Sequence, residues 1–175
     1  RMPEEINRIL TDRISSFLFC PSANAVKNLK EEGFDHFPAR VAFFGDVMFD
    51  VALHYSQIAV RKSKILAQHQ LGGSPFLLAT LHRQENTDDP ARLSALLEAL
   101  NSLAATYRIV LPLHPRTRKI IESAGPKLKF EPLEPVGYFD MVELLKNCSF
   151  VLTDSGGLQK EAFFFGKNCL VARDE

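Results

Sequence analysis

The 175-residue chain carries 21 Lys plus Arg against 21 Asp plus Glu, so its formal net charge is zero and no overall positive field draws it to nucleic acid or an anionic membrane. Nearly half the residues are apolar and about a quarter are charged, which excludes a disordered or fibrous chain and fits a globular one with a sizeable core. No apolar run approaches the roughly 18 residues that span a bilayer, and the opening "RMPEEINRIL" lacks the apolar h-region of a signal peptide.

In chain order, "MPEEINRILTDRISSFL" starts with Pro3, Glu4 and Glu5, as a helix N-terminus prefers, and sets Ile6, Ile9, Leu10, Ile14 and Phe17 on one face. "FLFC" (17–20) follows as a short buried strand, then a helix that Ser22 can cap and Gly33 can end, then the strand "RVAFFG". A mostly helical stretch runs from Asp46 to about Gln70 and ends in "LGGSP", loop composition that places a domain boundary there. Beyond it, strands are predicted at 76–80, 108–113, 128–133, 149–153 and 168–172. Helices between them are expected over about 90–106, 117–123, 140–146 and 157–165. Such alternation gives a parallel sheet with right-handed crossovers, so the fold class is α/β with a Rossmann-like second half. Both ends read as cut, with residues 1–45 a remnant of one domain, 46–70 a linker helix and 71–175 an incomplete second domain.

The three cysteines, Cys20, Cys148 and Cys169, lie in apolar runs without metal-like spacing and read as buried, reduced thiols in a cytoplasmic protein. No HExxH, Cys-pair or two-His-one-carboxylate pattern is present, so neither a metal nor another cofactor is expected.

In an open parallel sheet, ligands bind beyond the carboxyl ends of the strands, and three of those ends are chemically loaded. "LHRQEN" (81–86) follows one strand, "HPR" (114–116) a second and "DSGG" (154–157) a third. The Ser-Gly-Gly turn between strand and helix points free amides and the positive end of a helix dipole at the crevice. Ser155, Gly156 and Gly157 are therefore expected to cradle a phosphate or diphosphate. The adjacent glycines suggest a tight bend or the close approach of another group. Glu161, one and a half turns into that helix, can accept hydrogen bonds from a ribose diol. His82 and Arg83 are expected as phosphate ligands or a proton donor to a leaving group, with Glu85 and Asn86 bracing their loop. His114 and Arg116 are candidate anion contacts, whereas His36, His54 and His69 carry no assigned role. The alternative at each position is structural: a plain strand-to-helix turn, a core histidine or a solvated charge.

At "RMPEEINRILTD", "TLHRQEN", "HPRTR", "EPVGY" and "LTDSGGLQKEA", in order along essentially the whole chain, the sequence resembles the non-hydrolysing UDP-N-acetylglucosamine 2-epimerases. That resemblance implies two Rossmann-like domains of GT-B type with a nucleotide sugar in the cleft between them, and a homodimer at full length. It implies an isomerase in which UDP is eliminated across C1 and C2 and added back with C2 inverted. His82 matches the family's essential histidine near the diphosphate, Ser155, Gly156 and Gly157 its diphosphate loop, and Glu161 its ribose acid. Glu4 matches a carboxylate implicated in acid/base work, Met141 an apolar residue beside the uracil, and Arg83 and His114 positions near a regulatory nucleotide-sugar site. The family's first hundred or so residues and its C-terminal helices are not in this sequence, so the chain alone is expected to bind UDP but to turn over poorly. Within the span, Lys160 replaces a common Glu, Phe163, Phe164 and Phe165 replace a Pro-containing turn, and Asp46 replaces an Asn. A GT-B glycosyltransferase, a hydrolysing relative and a non-catalytic nucleotide-sugar-binding module stand as alternatives.

Overall fold

The structure is a computed structural model that describes residues 3–124 and 126–173. The chain divides into two compact units, residues 1–50 and 51–175.

In the first unit, α1 (Pro3–Ile14) leads into β1 (Phe17–Cys20), α2 (Ala23–Glu31), a short 3-10 turn and β2 (Arg40–Phe43). The strands pair in parallel, with Phe17 opposite Arg40 and Cys20 opposite Phe43. Ser22 caps α2 by accepting from the Ala25 amide at 3.1 Å, and Gly33 ends it at φ 87°, a left-handed conformation that favours glycine. Arg8 bonds Glu5, Asp12 and Glu32, tying α1 to the end of α2. Leu18 and Cys20 pack with Leu29 and Phe34 on one face of the pair. The spacing puts α1 where expected, but the stripe of Ile6, Leu10 and Ile14 is exposed. Helical periodicity identifies an apolar face; it does not supply a neighbour to bury it.

Helix α3 (Val47–Lys62) runs from the end of the first unit into the second, where α4 (Ile65–Gln68) and β3 (Phe76–Thr80) follow. Next come α5 (Gln84–Thr87), α6 (Pro90–Leu103), β4 (Arg108–Val110), α7 (Pro115–Ala124), α8 (Tyr138–Asn147), β5 (Phe150–Thr153), α9 (Gly156–Phe164) and β6 (Cys169–Val171). The four strands form a parallel sheet in the order β4-β3-β5-β6. Alternate residues feed two cores. Phe76, Leu78, Val110 and Val151 meet Leu144, Leu145, Leu158 and Ala162 from α8 and α9. Leu77, Ala79, Ile109 and Leu152 meet Leu93, Leu97, Leu100 and Ile121 from α6 and α7. Helices thus cover both faces, the doubly wound arrangement expected from the α/β alternation.

One expected strand, 128–133, is reduced to a single parallel bridge between Pro112 and Leu133. The pairing is confined to Leu133, whose amide donates to Leu111 O at 2.9 Å and whose carbonyl accepts from Leu113 N at 3.0 Å. The buried Asn101 side chain takes over, donating to Lys127 O at 3.0 Å and accepting from Lys129 N at 2.8 Å. Of the cysteines, Cys20 and Cys148 are buried and Cys169 is half-buried, all three as free thiols. Among the described residues no helix is long and apolar enough to cross a membrane.

Candidate functional site

The centre of the site is set by strand register. Thr80 of β3 lies opposite Thr153 of β5, and their hydroxyls are 2.6 Å apart. The chain leaving β3 therefore passes beside the chain leaving β5, bringing His82 to Asp154. Asp154 is fully buried and accepts the backbone amides of His82 at 3.0 Å and Arg83 at 2.9 Å. Its carboxylate also lies 3.0 Å from His82 Nδ1 and accepts from Asn86 Nδ2 at 3.2 Å. Asn86 reaches the far side of β5 as well, donating to Ala172 O at 2.8 Å. The expected bracing by Asn86 thus has a specific form: it clamps the ends of three strands around one buried acid.

Burial pushes the Asp154 carboxyl up, but the hydrogen bonds from the His82 side chain, from Asn86 and from the loop amides outweigh it and hold Asp154 below its ordinary value. The bond to Asp154 raises His82 against the opposing effects of its own burial and of Arg83. The His82 side chain is 55% exposed, so part of the ring is open to solvent and to a ligand.

Immediately after Asp154, Ser155 adopts extended backbone and caps α9, its Oγ accepting from Leu158 N at 3.3 Å. As the first two residues of α9, Gly156 and Gly157 have amides with no partner inside the helix, and the Ser155 hydroxyl, an acceptor here, can still donate its own proton. Neither glycine has positive φ, so no tight bend demands them. What comes close is Arg173: a Cβ on Gly156 would lie 3.0 Å from its Nη1. Arg173 is steadied by Gln159 Oε1 at 3.0 Å, which sets a guanidinium over the start of α9. The α9 C-terminus ends on a glycine, with Gly166 at φ 63° and Lys167 N donating back to Ala162 O at 2.8 Å.

Glu161, in the second turn of α9, accepts from the Tyr138 hydroxyl at 3.0 Å. Burial and that carboxylate push the Tyr138 phenol up to about 12, so it stays a donor at neutral pH. Tyr138 opens α8, the helix that also carries Met141. A cleft of about 450 Å³ is lined by His82, His114, Arg116 and Met141, among others, and so gathers residues from three separate stretches of sequence. Within it His114 Nδ1 accepts from Arg116 N at 3.3 Å, and the Arg116 guanidinium is paired with Asp88 at 3.0 Å. Arg83 lies 4.0 Å from Glu85. Glu4 belongs to the first unit, where it is exposed in the first turn of α1.

Asp154, Tyr138 and Arg173 carry no assignment from sequence. Asp154 had a readable signal, an acid directly following the largely apolar strand "FVLT", where an unpaired carboxylate is too costly to bury. Tyr138 and Arg173 had none, since each acts on a partner more than ten positions away.

The family described as UDP-N-acetylglucosamine 2-epimerase matches residues 1–175. The UDP-2,3-diacetamido-2,3-dideoxy-D-glucuronate 2-epimerase of Pseudomonas aeruginosa is 53% identical over the whole chain, which spans 48% of that relative. The crystal structure of the Methanocaldococcus jannaschii UDP-GlcNAc 2-epimerase in complex with UDP-GlcNAc and UDP superimposes with a TM-score of 0.83 at 36% identity, covering 99% of this chain and 49% of that one. The S. aureus MnaA–UDP co-structure gives a TM-score of 0.80 at 31% identity, covering 99% and 46%. This chain thus spans about half the length of the relatives it matches, and shares with them a Rossmann-like parallel sheet of GT-B type.

Proposed function

This chain belongs to the UDP-N-acetylglucosamine 2-epimerase family, and from that premise we propose that it is the UDP-holding half of a cytoplasmic isomerase that inverts C2 of a UDP-linked 2-acetamido sugar for polysaccharide synthesis. The observation that carries the reading is the junction of two strand ends, where His82 on buried Asp154 adjoins the Ser155-capped start of α9. In this reading residues 71–175 form the UDP-binding domain, residues 1–45 belong to the N-terminal Rossmann-like domain and residues 46–70 link them. The full-length protein is a homodimer.

The chemistry asks for two things of these residues. When the C2 proton leaves, its electron pair forms the C1–C2 double bond and the C1–O pair departs on the UDP oxygen, so negative charge grows on the diphosphate. Amides of Gly156 and Gly157, the Ser155 hydroxyl and the His82 ring are suited to that charge because they are held in place before it develops. Glu161 takes the ribose diol and Met141 the uracil side, while Glu4 takes part in proton transfer. Arg83, His114 and Arg116 serve as the anion contacts of a regulatory nucleotide sugar. The 53% identity to the Pseudomonas enzyme, against 36% to the Methanocaldococcus one, supports a 2,3-diacetamido uronate over N-acetylglucosamine as the sugar.

Calorimetry tests the binding half: the chain should take up UDP, and Ser155→Ala combined with Glu161→Ala should weaken binding at least about tenfold, roughly 1.4 kcal/mol. Absence of UDP binding, or affinity unchanged in the double variant, would overturn the reading. Assay of the full-length protein on both UDP-sugars decides the substrate, and net sugar transfer or release of free sugar would point to the glycosyltransferase or hydrolysing alternative.

A further inference from the structure

We propose that Asp154 is a positioning residue for His82: its buried carboxylate keeps the proton on Nδ1 and aims the opposite nitrogen, Nε2, at the diphosphate bound before the N-terminus of α9. The proposal rests on the UDP-holding reading for its ligand, but its geometry stands on contacts already formed within the second unit.

A carboxylate is acceptor-only when ionised, so the nitrogen 3.0 Å from it must be the one that carries hydrogen. That selects the Nδ1–H form of neutral His82 and favours the doubly protonated imidazolium. Asp154 is unusually fit for the task because it cannot turn away. Two loop amides and Asn86 occupy its remaining lone pairs at 2.9–3.2 Å, and the same amides belong to the loop that carries His82. Backbone and ring of His82 are thereby registered to one fixed point, the residue that follows β5. Ser155, the next residue along the chain, caps α9, so the phosphate cradle and the ring are referred to the same two adjacent positions. A displacement of the ring relative to the cradle would need the Asp154 network to break first.

Among the described residues, the charges that act on His82 are those of Asp154 and Arg83. Arg83 adjoins it in the loop after β3, His114 and Arg116 line the same cleft from the loop after β4 and the start of α7, and Arg116 is neutralised by Asp88. From just beyond β5 comes Asp154, and from α8 comes Met141, which is uncharged. Among these, Asp154 alone favours the imidazolium, and His82 is raised accordingly. The sign follows: positive charge at the diphosphate side is full at pH values below the ordinary histidine range and persists above it, fading as pH rises through the raised His82 value.

Nitrogen-15 NMR of histidine-labelled chain, with His82 assigned by its loss in His82→Gln, tests this directly. The neutral ring should be protonated at Nδ1, and the titration midpoint should lie above the ordinary 6.5 and fall in Asp154→Asn. A neutral ring protonated at Nε2, or a midpoint at or below the ordinary value in the unaltered chain, overturns the proposal even if the Asn variant fails to fold. In the full-length protein, Asp154→Asn should lower kcat on the order of a hundredfold with little change in KM, and shift the alkaline limb of the kcat profile to lower pH. Asp154→Glu should restore part of that limb; equal loss of kcat with an unmoved limb would mark a merely structural acid. UDP calorimetry on the unaltered chain separates the two failures: UDP bound by a chain whose neutral His82 ring is protonated at Nε2 overturns this proposal alone, whereas absence of UDP binding overturns the UDP-holding reading.

Discussion

The two units apply one pattern with opposite outcomes. In β3 every residue from Phe76 to Ala79 is buried, odd and even positions alike, because helices cover both faces of the sheet. In β1 burial alternates strictly: Leu18 and Cys20 meet α2, while Phe17 and Phe19 stay exposed, Phe19 at 66%. Phe19 sits edge-on to Phe44 at 5.0 Å and stacks with Phe17 at 6.3 Å, so the uncovered face is an aromatic one. Together with the exposed stripe of Ile6, Leu10 and Ile14, it gives the first unit far more open apolar surface than its length warrants. A strand's composition says how much it can bury; whether it does so depends on what the chain packs against it.

That contrast can be broken or sharpened by substitution. The largest effect is expected from Leu78→Ala, which empties a fully buried position between β4 and β5; denaturant unfolding followed by a probe in the second unit should show a loss of about 2–5 kcal/mol. A loss under about 1 kcal/mol would mean that the two-faced core is looser than its burial implies. An intermediate and equal effect is expected from the two helix caps, one in each unit. Ser22→Ala and Ser155→Ala each remove a side-chain acceptor of an N-terminal amide and should cost about 1 kcal/mol apiece in thermal or denaturant unfolding. Only the second should also weaken UDP binding. The smallest effect is expected from Phe19→Ser, which should change stability by less than about 1 kcal/mol while reducing self-association seen by light scattering. A large destabilisation there would show that the aromatic face supports its own unit.

The same distinction governs how much of the site could be read in advance. "TLHRQEN" and "LTDSGG" stand out because strand ends and helix starts use a narrow set of residues for local reasons, and the Ser155 cap needs nothing beyond its own next turn. His82, His114 and Arg116 were legible singly at strand ends, and Met141 only through the family resemblance; that all four line one cleft is a matter of tertiary structure. The double glycine invited a reading as a bend, yet the space at Gly156 serves the guanidinium of Arg173, which arrives from the end of β6. The strand expected at 128–133 failed for a related reason, since Asn101 on α6 took the backbone bonds that a ladder would have used.

By itself, then, the amino-acid order determined the alternation of strands and helices, the caps that start and stop them, and the loaded segments at strand ends. These depend on dihedral preference and on contacts within a turn or two. Tertiary structure alone decided that β3 lies beside β5, and hence that a carboxylate 72 positions from His82 would fix its backbone and ring. It also decided which apolar faces are covered and which are left open, because burial is a property of pairs of surfaces and neither member of a pair encodes the other.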